Sequence, residues 1–355
     1  MAERVLIAMS GGIDSTMSAL LLLEQGYELV GATFRTYDSI SESCMAKEKG
    51  CCTIDSIMEA RHNAERLGFE HHIIDMRDLF RQCVINPFVQ DYAHGRTPNP
   101  CVLCNKHIKW GAMLDVADKF GCTKIATGHY ARIIEHRGHY FLSTAQDTHK
   151  DQTYFLWMLT EQNLMRTIFP LGDFTKDQVR QMAAERGYTR LVEKKESQEI
   201  CFVPNDDYRT FLASEGIYTM PGNYLDENGR VVGKHEGITN YTIGQRRGLG
   251  VALGYPAFVT HINTHSNEIT LGHHDDLLTN QVTVENMMLR DPEWLRESPE
   301  LEARIRYRSQ PVKAIVENNI IHFEQPVWAP TPGQSLVLYK QGMVIGGGII
   351  SNNLP

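Results

Sequence analysis

Along its first two hundred residues the chain alternates two apolar patterns. Short apolar-rich runs cover Arg4 to Met9, Glu28 to Phe34, His71 to Asp75 and Lys124 to Thr127. Runs of this length predict strands buried in a parallel sheet. Longer stretches carry apolar residues at helical spacing over Ser15 to Gln25, Ile54 to Leu67 and Asn105 to Phe120, each followed by a glycine. Further helices are expected over Asp151 to Leu159 and Thr175 to Arg186. Strand alternating with helix predicts an α/β domain with a doubly wound parallel sheet.

The pattern changes near Pro204. Asp226-Glu227-Asn228-Gly229 separates two short β-like runs, Gly222 to Leu225 and Arg230 to Gly233, and predicts a hairpin. A second hairpin is expected across Thr264-His265-Ser266-Asn267. Beyond them come short runs at Gln281 to Glu285, Glu302 to Tyr307, Val312 to Val316, Ile320 to Phe323, Ser335 to Tyr339 and Val344 to Ile350. Such closely spaced strands predict a small barrel. The plan is therefore an α/β catalytic domain over 1–204, a small β-rich central domain over 205–278 and a C-terminal β-barrel over 279–355.

With 355 residues and 42% hydrophobic content, the chain has apolar material for more than one core. No apolar run approaches the roughly 20 residues of a membrane span. The N-terminus lacks the basic-then-apolar pattern of a signal peptide, so a cytoplasmic protein is expected. That setting makes reduced thiols a better reading than a disulfide scaffold for Cys44, Cys51, Cys52, Cys83, Cys101, Cys104, Cys122 and Cys201. A net charge of −8 argues against indiscriminate nucleic-acid binding. It leaves room for local basic faces at Gln245-Arg246-Arg247 and Arg304-Ile305-Arg306-Tyr307-Arg308.

The first strand runs directly into Ser10-Gly11-Gly12-Ile13-Asp14-Ser15-Thr16, and a helix follows. Two glycines let backbone N–H groups approach an anion closely, and the helix N-terminus adds partial positive charge. A phosphate is the natural occupant. The pattern matches neither the GxxxxGK[ST] loop nor GxGxxG. It resembles instead the PP-loop of the N-type ATP pyrophosphatases, which cleave ATP between its α- and β-phosphates and adenylate a substrate oxygen. Asp14 is suited to Mg2+, which prefers hard oxygen ligands.

A second feature is Thr97-Pro98-Asn99-Pro100-Cys101-Val102-Leu103-Cys104-Asn105-Lys106. The prolines predict an extended loop, with Cys104 at the start of the following helix, where thiolate is favoured. A CxxC pair can be half a zinc site, a redox pair or an accident. A zinc site needs a second ligand pair, and no other CxxC exists. Cys201, in Ser197-Gln198-Glu199-Ile200-Cys201-Phe202, reads on its own as a buried small residue rather than a reactive one; the combination with the first cysteine loop changes that.

Taken together, SGGIDS, RTPNPCVLCNKHIKW, ATGHYAR, the tripeptide Lys150-Asp151-Gln152 with Thr153-Tyr154-Phe155, and KESQEICF resemble the tRNA-specific 2-thiouridylases. The likeness continues through TIGQRRGLG, Arg304 to Arg308 and TPGQS, and so spans essentially the whole chain. It implies an enzyme that thiolates the wobble uridine of the tRNAs for lysine, glutamate and glutamine. ATP would be a substrate, and Ala8, Met9, Ser10, Gly11, Gly12, Ile13, Asp14, Ser15, Phe34 and Gly128 would line its site. Cys104 would be the nucleophile and Cys201 the persulfide carrier, the two forming a disulfide in turnover. Asn99, Pro100 and Cys101 would lie against the target base. His129, Lys150, Asp151, Gln152, Arg306, Tyr307 and Gln334 would contact tRNA. A cysteine desulfurase or a sulfur-relay protein would supply sulfur.

Cys101 departs from well-known members that carry aspartate there, and a thiol moves protons differently. Cys101, Cys104 and Cys201 could instead bind an iron–sulfur cluster, with one iron open to external sulfide. Two other classes compete: another PP-loop ATPase, such as a lysidine-forming or amidotransferase-type synthetase, and a redox- or metal-sensing RNA-binding protein with a vestigial loop.

Overall fold

The structure, a computed structural model, describes residues 2–37, 54–194, 200–203 and 207–352. Cys44, Cys51, Cys52, Ser197, Gln198 and Glu199 lie outside the described residues. The chain divides into two compact units. One comprises Met1–Val84, Cys101–Asp206 and Gly342–Ile345, the other Ile85–Pro100, Asp207–Gln341 and Gly346–Pro355.

The first unit carries β1 (Arg4–Ala8), β2 (Glu28–Arg35), β3 (Glu70–Asp75), β4 (Lys124–Ala126), a hairpin of β5 (Arg132–His136) and β6 (His139–Ser143), and β7 (Thr167–Ile168). A five-stranded parallel sheet runs in the order β3-β2-β1-β4-β7. Chain order reverses at β1, which has β2 on one side and β4 on the other. Open α/β sheets bind ligands beyond the carboxyl ends of strands at such a point.

Helices cover both faces, and Val5, Leu6 and Ile7 of the central strand are fully buried. Helix α1 (Ile13–Glu24) contributes Ala19 and Leu22 to a cluster with Val5, Ile7 and Ala60 of α2 (Ile54–Leu67). Its opposite side sends Met17 and Leu21 into a second cluster with Val179 and Ala183. Helix α3 (Arg77–Phe80) continues through a π-helical turn, Arg81–Ile85, into α4 (Asn86–Ala93).

The helix expected from Asn105 begins earlier, at Pro100. It runs as α5 (Pro100–Cys104), a π-helical stretch Asn105–Ala112 and α6 (Met113–Lys119). Proline lacks the N–H that a first helical turn leaves unpaired, so it opens the helix rather than preceding it. Asn105 is buried, and its amide donates to the Phe155 carbonyl at 2.9 Å. Wide turns of this kind recur at functional sites.

The helix expected over Asp151 to Leu159 is instead one 3-10 turn, Thr153–Phe155. Asp151 points inward, accepting from the Ala145 N–H at 3.0 Å and the Thr153 hydroxyl at 2.7 Å. Such local side-chain bonds compete with helix formation. Helices α7 (Glu161–Met165) and α8 (Lys176–Glu185) each start with a capping box, at Thr160–Asn163 and Thr175–Gln178, and α9 (Thr189–Glu193) follows. The hairpin β5–β6 was not legible in the sequence; β6 pairs along Met343 and Val344 near the far end of the chain.

In the second unit, α10 (Tyr208–Ser214) meets α4 through Phe88 against Phe211 and a Tyr92–Tyr208 stack at 4.8 Å. Strands β8 (Gly222–Leu225), β9 (Val231–His235), β10 (Phe258–Asn263) and β11 (Glu268–Gly272) form both expected hairpins within one sheet, in the order β10-β11-β8-β9. Strands β12 (Leu278–Leu289), β13 (Leu301–Arg304), β14 (Val312–Glu317), β15 (Ile320–Trp328), β16 (Ser335–Lys340) and β17 (Met343–Ile350) close into a six-stranded barrel through the β12–β17 pairing. Helix α11 (Pro292–Glu297) links β12 to β13. The strand expected to reach Tyr307 stops at Arg304, because the chain turns back and Arg306 N–H meets the Ser309 hydroxyl. Among the described residues no helix is long and apolar enough to cross a membrane.

The buried Trp110 indole N–H donates to the Thr167 hydroxyl at 2.7 Å, which in turn donates to the Asn163 carbonyl. Thr167→Val leaves that indole unpaired and should destabilise the first unit by about 1–3 kcal/mol. Urea unfolding followed by tryptophan fluorescence checks the shift.

Candidate active site

The loop between β1 and α1 is set by close backbone approach. Gly11 has φ +68°, and a Cβ there would collide with the Ser56 carbonyl of α2. Glycine is thus required both for conformation and for space. Gly12 is the N-cap of α1 and supplies no side-chain cap. Ser15 Oγ donates to the Gly12 carbonyl at 3.1 Å and accepts from both Ser10 N–H and Ser10 Oγ. Ser15 and Thr16 therefore knit the loop from beneath, whereas Ser10 is exposed. Met9 is tied to β2 through its N–H to the Ala32 carbonyl and its carbonyl to the Thr33 hydroxyl. The result is an α1 N-terminus open to an anion.

Gly128 follows β4 and packs directly on this loop. A Cβ there would lie 2.9 Å from Asp14 C and 3.0 Å from Ser15 N. Phe34, at the end of β2, is half-buried.

Asp14, in the first turn of α1, is held from two sides. Tyr130 Oη donates to it at 2.8 Å, and Lys176 Nζ reaches both carboxylate oxygens at 2.8 Å. Lys176 is buried, as is Tyr130. Lys176 is marked by no sequence motif, and its pairing with Asp14 spans 162 positions. These bonds to Asp14 use part of the acceptor capacity of its two carboxylate oxygens. Lys194 Nζ also reaches the loop, at the Gly11 carbonyl, while paired with Glu59 at 2.7 Å.

Cys104 sits at the fifth position of its helix, not at the N-terminus as expected, and is half-buried. Cys101 is the residue in the first turn. It is exposed to solvent. Cys201 is exposed and follows the same unit's chain, anchored by its neighbour Phe202, whose buried ring meets Phe80 edge-on at 5.6 Å. Phe80 belongs to α3, which packs on the π-helical stretch after Cys104. None of the three is disulfide-bonded among the described residues. Among the described residues no group of three or more His, Cys, Asp or Glu side chains is arranged to hold a metal ion, so the three cysteines do not form a cluster cradle here.

His129 is buried between Trp110 and Phe169. Its Nε2 lies 3.1 Å from Lys109 Nζ and its Nδ1 2.7 Å from the Thr127 hydroxyl. An ammonium can only donate, so Nε2 accepts and Nδ1 carries the proton. Burial, and then Lys109, holds its pKa well below the ordinary value.

Asp151 is likewise buried, and Gln152 brackets Tyr130 with two backbone-directed bonds at 2.9 Å. Lys150 is half-buried beside the exposed His149. In the second unit, Gln334 donates to the Thr97 and Pro98 carbonyls, and Thr97 N–H meets the Pro332 carbonyl. This clamps the chain just before Asn99 and Pro100. Arg306 donates to Ala329 O and Thr331 Oγ1 and lies over Trp328. Tyr307 is half-buried beside Arg308, while Arg246 and Arg247 are exposed.

Comparison with known proteins gives three family matches in chain order. A tRNA methyl transferase HUP domain matches residues 3–205, a tRNA methyl transferase PRC-barrel domain 209–273 and an aminomethyltransferase beta-barrel domain 284–350. Full-length relatives carry a different activity in their names. The tRNA-specific 2-thiouridylase MnmA of Amoebophilus asiaticus is 47% identical, covering 98% of this chain and 95% of its own. The Cytophaga hutchinsonii protein of the same name is 46% identical over 99% and 98%, and that of Carboxydothermus hydrogenoformans 43% over 99% and 98%.

Two outcomes follow from the geometry. Gly128→Ala forces a methyl onto the Asp14–Ser15 backbone and should cost about 1–3 kcal/mol of stability and weaken ATP binding at least several-fold; thermal unfolding and nucleotide titration read both. For His129, a depressed folded pKa means its stabilising contribution is complete above the unfolded value near 6.5 and is lost as pH falls. His129→Asn should therefore flatten the loss of stability between about pH 6.5 and 5, measured by denaturant titration at each pH.

Proposed function

Because the chain belongs to the tRNA-specific 2-thiouridylases, we propose that it activates the C2 oxygen of a tRNA uridine with ATP and replaces it with sulfur carried on Cys201. The observation that carries this reading is the composition of the first unit. It holds a glycine loop opening on an uncapped α1 N-terminus, and the same unit holds Cys104 and the exposed Cys201.

The chemistry needs both parts. A uridine C2 oxygen is a poor leaving group. Its attack on the ATP α-phosphorus releases pyrophosphate and leaves the oxygen as an adenylate ester. Backbone N–H groups of the loop and the α1 dipole stabilise the departing pyrophosphate. The terminal sulfur of a Cys201 persulfide then attacks C2, and AMP leaves with the original oxygen. Cys104 thiolate attacks the Cys201 sulfur, so the terminal sulfur stays on the base and a Cys104–Cys201 disulfide forms. An external thiol reductant returns both residues to thiols, and a sulfur donor, a cysteine desulfurase or a relay protein, reloads Cys201.

The substrate in this reading is the wobble uridine of the tRNAs for lysine, glutamate and glutamine. That base must leave the anticodon stack to reach the thiols. Asn99, Pro100 and Cys101 receive it, at the end of the chain segment clamped by Gln334. The exposed Arg246 and Arg247, with Tyr307, bind backbone and bases. His129 and Asp151 are buried, so their part in RNA binding is indirect, through the helix bearing Lys109 and the loop bearing Lys150. The catalytic domain over 1–204, the central domain over 205–278 and the barrel over 279–355 divide these tasks.

Incubation with ATP, a persulfide source and unmodified tRNA, followed by nucleoside mass analysis, tests the reading. The native protein should yield 2-thiouridine. Cys104→Ser and Cys201→Ser should each lower the yield at least a hundredfold while leaving ATP binding in place. Full activity in either variant would reject the two-cysteine route.

A further inference from the structure

Asp14 lies on a ring of hydrogen bonds, closed by the chain segment Asp147–Gln152, that leaves the phosphate loop and returns to it. One arm runs through Tyr130. Its hydroxyl donates to Asp14 Oδ1 at 2.8 Å, its N–H donates to Gln152 Oε1 at 2.9 Å, and its carbonyl accepts from Gln152 N–H at 2.9 Å. The other arm runs through Lys176. Its ammonium donates to both Asp14 oxygens, and its backbone N–H donates to Asp147 Oδ2 at 3.0 Å. The arms meet in the loop Asp147–Gln152. There Asp147 Oδ1 accepts from the N–H groups of His149 and Lys150, and Asp151 accepts from Ala145 and Thr153.

The ring is shielded from water at Tyr130, Lys176 and Asp151, whereas Asp14, Asp147 and Gln152 are half-buried. Tyr130 is 3% exposed, Lys176 4% and Asp151 3%. Bonds in such surroundings are stronger and less screened than surface bonds. The outer side of the loop is nevertheless accessible, since Thr148 and His149 are exposed and Lys150 half-buried. A polyphosphate at the α1 N-terminus adds negative charge to the loop whose Asp14 the Lys176 ammonium holds. Any redistribution of the Lys176 donors changes the hold on Asp14 and, through the same residue's backbone, the hold on Asp147. A ligand pressing on Lys150 acts on the ring from its other end.

We propose that Tyr130 and Lys176 are positioning residues that couple the loop Asp147–Gln152 to the phosphate loop, so that RNA contact on the one and nucleotide occupancy of the other alter each other's affinity. The inference rests on the ATP and tRNA reading given above. Such coupling is reciprocal by thermodynamic necessity. The sequence marks Lys150-Asp151-Gln152 and Asp14 as separate motifs; the ring makes them one device.

The test uses the full chain, α,β-methylene-ATP and unmodified substrate tRNA. The dissociation constant of the analogue is measured with and without saturating tRNA. The native protein should show a change of at least about fivefold, the lower end of ordinary coupling. Tyr130→Phe removes one hydroxyl and should bring that factor close to 1 while both ligands still bind. Asp147→Asn, which weakens the other arm without changing shape, should also reduce it. A merely structural role would lower thermal stability or both affinities and leave the factor intact. The inference is overturned if the native protein binds both ligands with a factor of 1, or if Tyr130→Phe and Asp147→Asn keep the native factor. A native protein that binds the analogue but no tRNA would overturn the functional reading itself, and this coupling with it.

Discussion

Close approach of backbone to backbone around residues 10–15 is the constraint on which the first unit is built. Gly11 leaves no room for a side chain against Ser56 of α2, and Gly128 leaves none against Asp14 and Ser15. The loop is therefore gripped by the segments that follow β4 on one side and by α2 on the other. This holds the first N–H groups of α1 in one direction with no capping side chain in front of them. A rigid, preorganised donor set of this kind binds an anion without reorganising, as the proposed release of pyrophosphate requires.

Charge is distributed to suit that loop. Asp14, which alone would repel a polyphosphate, is paired with the buried Lys176 and bonded by Tyr130. The cysteines answer to different surroundings. Cys101 occupies the first helical turn and is exposed; Cys104 is one turn further in, beside an amide, Asn105, that locks the helix to Phe155. Cys201 is held near the surface by a buried phenylalanine rather than by burial of its own sulfur. An exposed thiol beside a fixed anchor is what a carrier needs if it is to be loaded by a second protein, as the proposed cycle requires.

Much of this was legible from the chain, for physical reasons. The SGGIDS loop declares itself because glycine and hydroxyl residues at a strand-to-helix junction have few other uses, and α2 lies over Ile54–Leu67 as its apolar spacing predicts. The Thr175 capping box likewise marks the start of α8. Local pattern failed where tertiary bonds overrode it. Asp151 turned inward and cut an expected helix to one turn, and Pro100 moved a helix start ahead of the cysteines it was expected to follow. The Lys176–Asp14 pair was invisible because its members are distant in sequence and neither sits in a pattern that names the other. The clamp of Gln334 on Thr97 and Pro98 was hidden for the same reason: a glutamine in a turn shows nothing of the backbone it will cap.

The central claim is that the C2 oxygen of the uridine leaves on AMP. Substrate tRNA carrying 18O at that oxygen tests it most directly. The account predicts that each turnover delivers one 18O atom to the phosphate of AMP, with none in pyrophosphate or water. Recovery of the label in water or in inorganic phosphate, with AMP unlabelled, would contradict it.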